Sequence, residues 1–198
     1  MKLKEMMKRD QKLICLLICS ALFSSCGILS QMGALLSCNY RIDHVNNPML
    51  AGVGVANLSD LTKLDATTAL RVTSTLLSGS LPLSATVHIG VTNPNTTAAQ
   101  IAGVDWILLY EDTQVLTGAT QQQVYVAPNG GNSSIPLTIQ ADLATLFKND
   151  SMEKMLQFAN GLLHVGGQNG KVTLKIQPAI SFGGQVFRMG YITVTKEL

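Results

Sequence analysis

The clearest hydrophobic pattern in the chain lies at residues 81–95, where apolar and polar positions alternate strictly. The apolar positions are Leu83, Ala85, Val87, Ile89 and Val91, and the positions between them are Ser84, Thr86, His88, Gly90 and Thr92. Because successive side chains of a strand point to opposite faces, this pattern predicts a strand with one buried and one solvated face. Proline cannot donate to a ladder and asparagine tolerates left-handed backbone, so the strand is expected to end at the triplet Asn93, Pro94 and Asn95.

Two further strands are predicted before this central one. The first covers 39–45 and is expected to end at the Asn-Asn-Pro sequence that follows it. The second covers 50–56 and is weakened by its glycines. Alternation in the first strand predicts that three side chains share one face, namely Tyr40, Ile42 and His44.

The strands predicted after the central one are longer and more apolar. Residues 104–110 have one apolar face and a second face that is largely apolar, which indicates a strand covered on both sides. After a turn, residues 114–126 read as one long strand that breaks near Gly118, and the Pro-Asn-Gly-Gly sequence 128–131 predicts a hairpin turn. The strand over 135–143 carries a proline at an outward position, which argues for the edge of a sheet. Two last strands are predicted at 172–176 and 191–196.

Two short helices are predicted. The first has Asp65 as its N-cap, ends before Gly79, and has small or apolar residues at helical spacing, namely Ala66, Ala69, Leu70, Thr73 and Leu77. The second begins with a capping box formed by Asp150 and Glu153. Its apolar stripe contains Met152, Met155, Leu156, Ala159 and Leu163. With eight or nine strands, the whole pattern predicts a mainly β, two-layer antiparallel β-sandwich with two short helices.

The N-terminus has the pattern of a lipoprotein signal peptide. A basic segment, 1–12, is followed by an apolar run, 13–23, that is too short to cross a bilayer. The sequence before Cys26 resembles a bacterial lipobox, although Phe23 stands where leucine is usual. We therefore predict a signal peptide at 1–25, cleavage before Cys26 and a diacylglycerol on its thiol.

Two alternatives to this anchor remain open. Cys38 follows a poorer lipobox, and residues 13–36 have the length of one imperfect transmembrane helix. With Cys26 acylated, residues 26–38 form a lipidated tether, and Cys38 is expected to be a small buried hydrophobe. The residues after Cys26 match neither the inner-membrane retention signal nor the surface-export signal, which favours an outer-membrane lipoprotein facing the periplasm.

Charge and chemistry narrow the function classes. The formal net charge of +2 in this chain of 198 residues comes from the basic N-terminal segment, so no basic surface is left to bind nucleic acid. Three histidines, His44, His88 and His164, lie in separate elements without ligand spacing, so no metal site or cofactor is predicted. Asp43 and His44 are neighbours in a predicted strand and should point to opposite faces, which excludes a simple dyad. No catalytic residue is predicted.

Residues 81–143 resemble the type 2 late embryogenesis abundant family, also called the WHy domain. The resemblance rests on the LPLSATVHIGVTNPN strand, on the apolar strand with Trp106 and Tyr110, and on the Asn-Gly-Gly turn before Pro136. The chain is most similar to the variety found in bacterial envelope lipoproteins, which extends the likeness over 39–198. The resemblance implies a sandwich of the fibronectin type III or immunoglobulin-like kind, a link to stress response, and no catalytic residues.

These observations favour a membrane-tethered, non-enzymatic binding or protective module. Its expected partners are the membrane, through the lipid, and an apolar ligand or an envelope protein. The predicted binding surface lies under the second helix, which is expected to lift from the sandwich, and consists of Met152, Met155, Leu156 and Ala159. An accessory or spacer subunit of an envelope assembly is the second hypothesis, and a hydrolase is the third.

Overall fold

The computed structural model describes residues 30, 32–55, 64–163 and 172–194. The predicted signal peptide, Cys26 and His164 lie outside the described residues. Within these described residues, a helical turn at 32–36 precedes eleven strands and three helices. Their bounds are β1 Asn39–Leu50, β2 Val53–Gly54, α1 Ala66–Leu77, β3 Pro82–Asn93, β4 Ala99–Ile101, β5 Gly103–Tyr110, β6 Thr113–Thr120, β7 Val124–Val126, β8 Gly131–Asp142, α2 Leu143–Leu146, α3 Met152–Leu163, β9 Val172–Phe182, β10 Gln185–Arg188 and β11 Ile192–Val194.

The strands form two main antiparallel sheets. One has the order β2-β1-β3-β8, and the other has the order β10-β9-β5-β6 with β11 also paired to β9. A small third sheet joins β4 to β7. Every ladder between described strands is antiparallel. The predicted mainly β, antiparallel sandwich class is therefore confirmed.

The core is built on the inward face of β3. Its five alternating apolar side chains are at most 3% exposed, and they are the ones predicted, Leu83, Ala85, Val87, Ile89 and Val91. They share one hydrophobic cluster with residues of the other sheet, including Leu108 of β5 and Ile176 of β9. Such a cluster excludes water from both sheets at once, which is the main stabilising contribution in a sandwich.

The packed structure begins before Asn39. Ala34, Leu35 and Cys38 come from the stretch predicted as a tether, yet all three are buried in the core. The Tyr40 hydroxyl donates to the Leu35 carbonyl oxygen at 3.1 Å, which ties the helical turn to β1. Cys38 is a free, buried thiol, as predicted.

Strand β1 differs from its prediction because it contains irregularities that alternation cannot show. The strand was predicted to end at the Asn-Asn-Pro sequence, but it continues through that sequence to Leu50. Its register against β3 shifts between Ile42 and His44 and again between Asn46 and Met49. The sequence therefore forms a bulge inside the strand, and Asn47 takes the positive φ of 48°. Of the strand predicted over 50–56, residues 50–55 are described: Leu50 ends β1, and Val53–Gly54 form β2.

The first bulge also moves His44 off the face of Tyr40 and Ile42. The His44 ring stacks on the His88 ring, with centroids 4.5 Å apart and planes 12° apart. A Cβ added to Gly90 would lie 2.5 Å from the Asp43 carboxylate oxygens. Because Gly90 and His88 share the outer face of β3, Asp43 and His44 share it too. The prediction that these two neighbours point to opposite faces is wrong, since the extra residue of a bulge breaks the alternation.

The segment predicted as one strand over 114–126 is two strands in different sheets. Strand β6 ends at Thr120, and the chain crosses over 121–123 before β7 pairs with β4. The break predicted near Gly118 falls at 121–123, and Gly118 itself lies within β6, where the Trp106 ring of β5 occupies the space that a side chain would fill. The turn after β7 is present, with Asn129 at φ 58° and Gly130 at φ 86°. It is a corner between sheets and not a hairpin, because β8 pairs with β3.

The edge position predicted from Pro136 is confirmed. Strand β8 is the last strand of its sheet, and Pro136 pairs with His88 of β3. Proline has no N–H to donate to a neighbouring strand, so it fits at an edge, where one side of the strand has no neighbour.

Ile107 and Leu109 of β5, which were predicted to be covered, are half-buried.

Helix α1 has the predicted cap but a different buried face. The Asp65 carboxylate accepts from the backbone N–H groups of Thr67 and Thr68. Thr68 and Val72 face the core, whereas Leu70 and Leu77 are 72% and 84% exposed. Apolar spacing gave the wrong side because this helix docks through one narrow side around Val72.

Helix α3 begins with a different cap from the one predicted. The Ser151 hydroxyl accepts from the Lys154 backbone N–H at 3.3 Å. Asp150 instead binds the Lys154 ammonium at 2.8 Å, and Glu153 accepts from the Gln157 side chain at 3.1 Å. The prediction of a capping box formed by Asp150 and Glu153 is therefore wrong, because both carboxylates have partners one turn further along the helix.

None of the helices within the described residues has the length and hydrophobicity needed to span a bilayer.

Candidate functional site

The Asn-Pro-Asn motif forms a hydrogen-bonded joint at one end of the sandwich. Asn93 is fully buried, and its side-chain nitrogen donates to the carbonyl oxygens of Thr97 at 2.9 Å and Val126 at 3.2 Å. Its side-chain oxygen accepts from the backbone and side-chain nitrogens of Asn95, at 3.0 and 2.8 Å. Both donors of the Asn93 amide and both lone pairs of its oxygen are therefore used.

The backbone of the motif completes this joint. The Asn93 and Asn95 carbonyl oxygens accept from the N–H groups of Gly130 and Asn129, each at 2.7 Å. The Asn95 side chain also donates to the Ala34 carbonyl oxygen at 2.9 Å, whereas Pro94 is exposed. The motif thus joins the end of β3 to the β7–β8 corner and to the helical turn before β1. The side-chain amides of its asparagines stabilise the fold, because they hydrogen-bond to other groups of the chain.

Helix α3 covers the opposite part of the sandwich. Of the predicted surface, Met155, Leu156 and Ala159 are at most 6% exposed, while Met152 at the start of the helix is 38% exposed. The helix packs against β1 and β9, which belong to different sheets. It therefore covers the gap between the two sheets with its apolar face.

The sequence interpretation missed the largest side chain of this face. Phe158 and Leu162 are fully buried, although neither belongs to the predicted stripe. They follow Met155 at three and seven positions, so a wider helical face centred on Met155 would have found them. The buried face is thus broader than one stripe.

Phe158 belongs to a three-ring aromatic cluster at the mouth of the sandwich. It meets Tyr110 edge to face, with centroids 5.5 Å apart, and lies 5.2 Å from the Phe147 ring. Tyr110 and Phe147 also meet edge to face at 5.8 Å. Edge-to-face contacts are among the geometries that aromatic quadrupoles favour. The cluster connects β5, α3 and the end of α2.

The helix lies close to β9 at Gly161. A Cβ placed on Gly161 would lie 2.7 Å from the Val172 Cγ2 atom and 3.5 Å from its Cβ. A larger residue at Gly161 would have to push the helix away from the strand. At its other end α3 carries the exposed ion pair of Lys154 with Asp150, whose hydrogen bond raises the pKa of Lys154.

Two of the remaining groups that could carry chemistry in the described residues are the Cys38 thiol and the His88 imidazole. Cys38 donates its thiol hydrogen to the Ala34 carbonyl oxygen at 3.3 Å, and burial raises the pKa of Cys38, so the thiolate is disfavoured. Burial and the nearby His44 lower the pKa of His88. The described part of the chain contains no group of three or more metal-ligating side chains.

Comparison with known proteins gives similar solved structures, and two of them are described here. No protein-family model and no curated protein sequence matches the chain. The crystal structure of a protein from Archaeoglobus fulgidus is similar at 14% identity and a TM-score of 0.35, over 79% of this chain and 98% of that one. The solution structure of a protein named as a candidate late embryogenesis abundant (LEA) protein is similar at 11% identity and a TM-score of 0.37, over 92% of this chain and 86% of that one. At these scores neither likeness bears on the function.

Proposed function

We propose that this protein is a non-enzymatic binding or protective module held in the bacterial cell envelope by a lipid on Cys26. Its working domain is a sandwich of the type 2 late embryogenesis abundant kind, placed on the periplasmic side of the outer membrane. The signal-peptide pattern and the sequence resemblance support this proposal, and the antiparallel sandwich agrees with it.

The single observation that carries the binding function is the seat of α3 between the two sheets. Its apolar face fills a gap that an apolar ligand or partner can fill equally well, because hydrophobic burial is not directional. Each fully buried side chain contributes about 1.5–3 kcal/mol. The helix therefore stays seated until the incoming ligand replaces its contacts, and in our proposal the ligand takes the place of Met155, Leu156 and Ala159.

The anchor is tested by Cys26→Ser. We expect this variant to leave the membrane fraction and to lose acyl labelling, because in this proposal the Cys26 thiol carries the lipid. The measurement is fractionation of cells grown with a labelled fatty acid. Cys38→Ser is the control and should remain membrane-bound. Labelling that survives Cys26→Ser and disappears in Cys38→Ser would move the lipid to Cys38.

The binding function is tested by locking α3 to β9 with a disulfide between Gly161→Cys and Val172→Cys. The Cβ separation of 3.5 Å at this pair lies at the lower end of the range for natural disulfides. Oxidised full chain should bind a fluorescent long-chain fatty acid at least about tenfold more weakly than the same protein after reduction. Val172→Cys alone is the control, because Gly161→Cys alone would push α3 away from the Val172 side chain, and peptide mass mapping verifies the bond.

Two results would contradict this proposal. Equal fatty-acid affinity in the oxidised and reduced proteins would show that no ligand enters beneath α3. Hydrolysis of an ester, peptide or glycoside by the purified protein, lost on one Ser or Asp substitution, would make the protein a hydrolase.

A further inference from the structure

One end of the sandwich is built from segments that contain no acidic, basic or histidine side chain. These segments are 32–38, 93–102, 120–131 and 181–186. The first three are joined by side-chain hydrogen bonds, because Asn95 donates to the Ala34 carbonyl oxygen and Asn93 donates to that of Val126. In the fourth segment, Ser181 borders a surface cavity together with residues of β4 and β7. We call this surface the uncharged end.

The opposite end of the sandwich is charged. Strand β3 connects the two ends, because its first residue, Pro82, pairs with Asp142 and its last residue, Asn93, pairs with Gly131. Residues 142–154, which leave the sheet beside Pro82, contain three carboxylates and two ammonium groups. A charged group resists transfer out of water far more strongly than a neutral amide or hydroxyl does. The uncharged end is therefore the end that can lie against a poorly hydrated surface at lower cost.

Three large apolar side chains are exposed on the uncharged end. Leu36 is 63% exposed, Tyr125 is 58% exposed and Val186 is 54% exposed. Tyrosine is enriched where a bilayer meets water, because its ring is apolar and its hydroxyl is polar. Neutral polar residues around exposed apolar ones are the composition expected of a surface that contacts lipid head groups.

The proposed anchor would hold the uncharged end close to the membrane, so this inference rests on the proposed function. Ala34 is buried in the uncharged end and lies eight positions after Cys26. An extended chain spans at most about 3.6 Å per residue, so this tether reaches no more than about 29 Å. The 12 residues of β3 span about 40 Å. The sandwich is therefore too long to stand inverted on its tether with the charged end against the bilayer.

We propose that the uncharged end rests on the surface of the bilayer that holds the lipid anchor, with Leu36, Tyr125 and Val186 in contact with lipid. No charge attraction takes part, so the contact should be equally close on neutral and anionic vesicles and insensitive to salt. Helix α3 belongs to the charged end and faces away from the bilayer, so its ligand arrives from the aqueous side.

The test places a tryptophan reporter at each end of the acylated protein in phosphatidylcholine vesicles whose acyl chains carry bromine, a short-range quencher. Tyr125→Trp reports from the uncharged end and should lose emission relative to the same vesicles without bromine. Leu77→Trp reports from the charged end, four residues before Leu81, whose N–H donates to the Asp142 carboxylate at 2.9 Å. It should keep its emission, although Leu77 is 84% exposed and thus more accessible than Tyr125. The unsubstituted protein gives the background of the buried Trp106.

A carboxylate placed in the contact should weaken it. In the Tyr125→Trp protein, Val186→Glu should restore the emission, because the carboxylate would have to lose its water to enter the lipid surface. Leu77→Glu makes a matched change at the charged end and should leave the quenching of Tyr125→Trp as it is. Quenching that is unaffected by Val186→Glu, or that appears only on anionic vesicles, would overturn the proposed contact.

Flotation of the vesicles separates this inference from the proposed function. Protein that does not float with the vesicles has no anchor, which overturns the proposed anchor and the orientation together. Protein that floats, but in which both reporters are quenched equally or Leu77→Trp is quenched more, keeps its anchor and overturns the orientation alone.

Discussion

Replacing Phe158 by alanine should lower the free energy of unfolding by about 3–5 kcal/mol. The ring is fully buried and touches both other rings of the aromatic cluster. Its removal exposes a large void between α3 and β5 that the rigid strands cannot close, and it also removes two favourable ring contacts. Urea unfolding of the full chain in detergent measures the effect as a lower midpoint with an unchanged slope.

Phe187→Ala is the matched control, because it makes the same chemical change at a half-buried position of β10. We expect it to cost about 1 kcal/mol. If Phe158→Ala lowers the free energy of unfolding by less than about 1 kcal/mol, α3 separates from the sandwich before global unfolding. The contacts of α3 then do not contribute to the measured free energy. That result would contradict the seat of the helix described above.

The sequence predicts the part of the fold in which burial follows one simple period. Alternation in β3 identifies all five of its buried apolar side chains, because both of its neighbours pair with it along most of its length. Pro136 identifies the edge strand for an equally local reason, the missing N–H. These features depend on the residue type and on the nearest neighbours in the sheet.

Prediction fails where the chain leaves a regular register. The bulge at Asp43 inverts the face of His44, and no residue type near it announces the extra position. The crossing from β6 to β7 is similarly hidden, because the glutamines at 121–123 include no glycine or proline to mark the place where the pairing partner changes. Glycine at position 118 suggests the end of a strand from sequence, but in the structure its small size leaves room for the Trp106 ring.

The candidate site was predicted only in part, for related reasons. The apolar face of α3 follows from helical spacing, but its central residue, Phe158, was placed outside the stripe. The uncharged end is a property of the folded topology, because its four segments lie far apart in the sequence. Likewise, the sequence shows Asn93 but not its partners Thr97 and Val126, which offer only backbone carbonyl oxygens.

Replacing Asn93 by aspartate should lower the free energy of unfolding by about 3–5 kcal/mol at neutral pH. The two side chains have almost the same size, because only the amide nitrogen is replaced by an oxygen. The amide nitrogen that donates to the carbonyl oxygens of Thr97 and Val126 becomes an oxygen that repels them. The position is fully buried, so a carboxylate there also loses its hydration. Chemical unfolding at pH 7 measures the loss.

The same substitution should be less harmful in acid, and this pH dependence identifies the cause. Burial raises the pKa of a carboxyl group at position 93 in the folded state above its unfolded value. The penalty is therefore complete above the folded pKa and diminishes as the pH falls through it, because the protonated group is neutral and donates one hydrogen bond. Asn132→Asp makes the same change at an exposed position of β8 and should cost about 0.5 kcal/mol or less. An Asn93→Asp penalty that is equally large at pH 4 and pH 7 would show that lost geometry, and not the buried charge, weakens the joint between β3 and the β7–β8 corner.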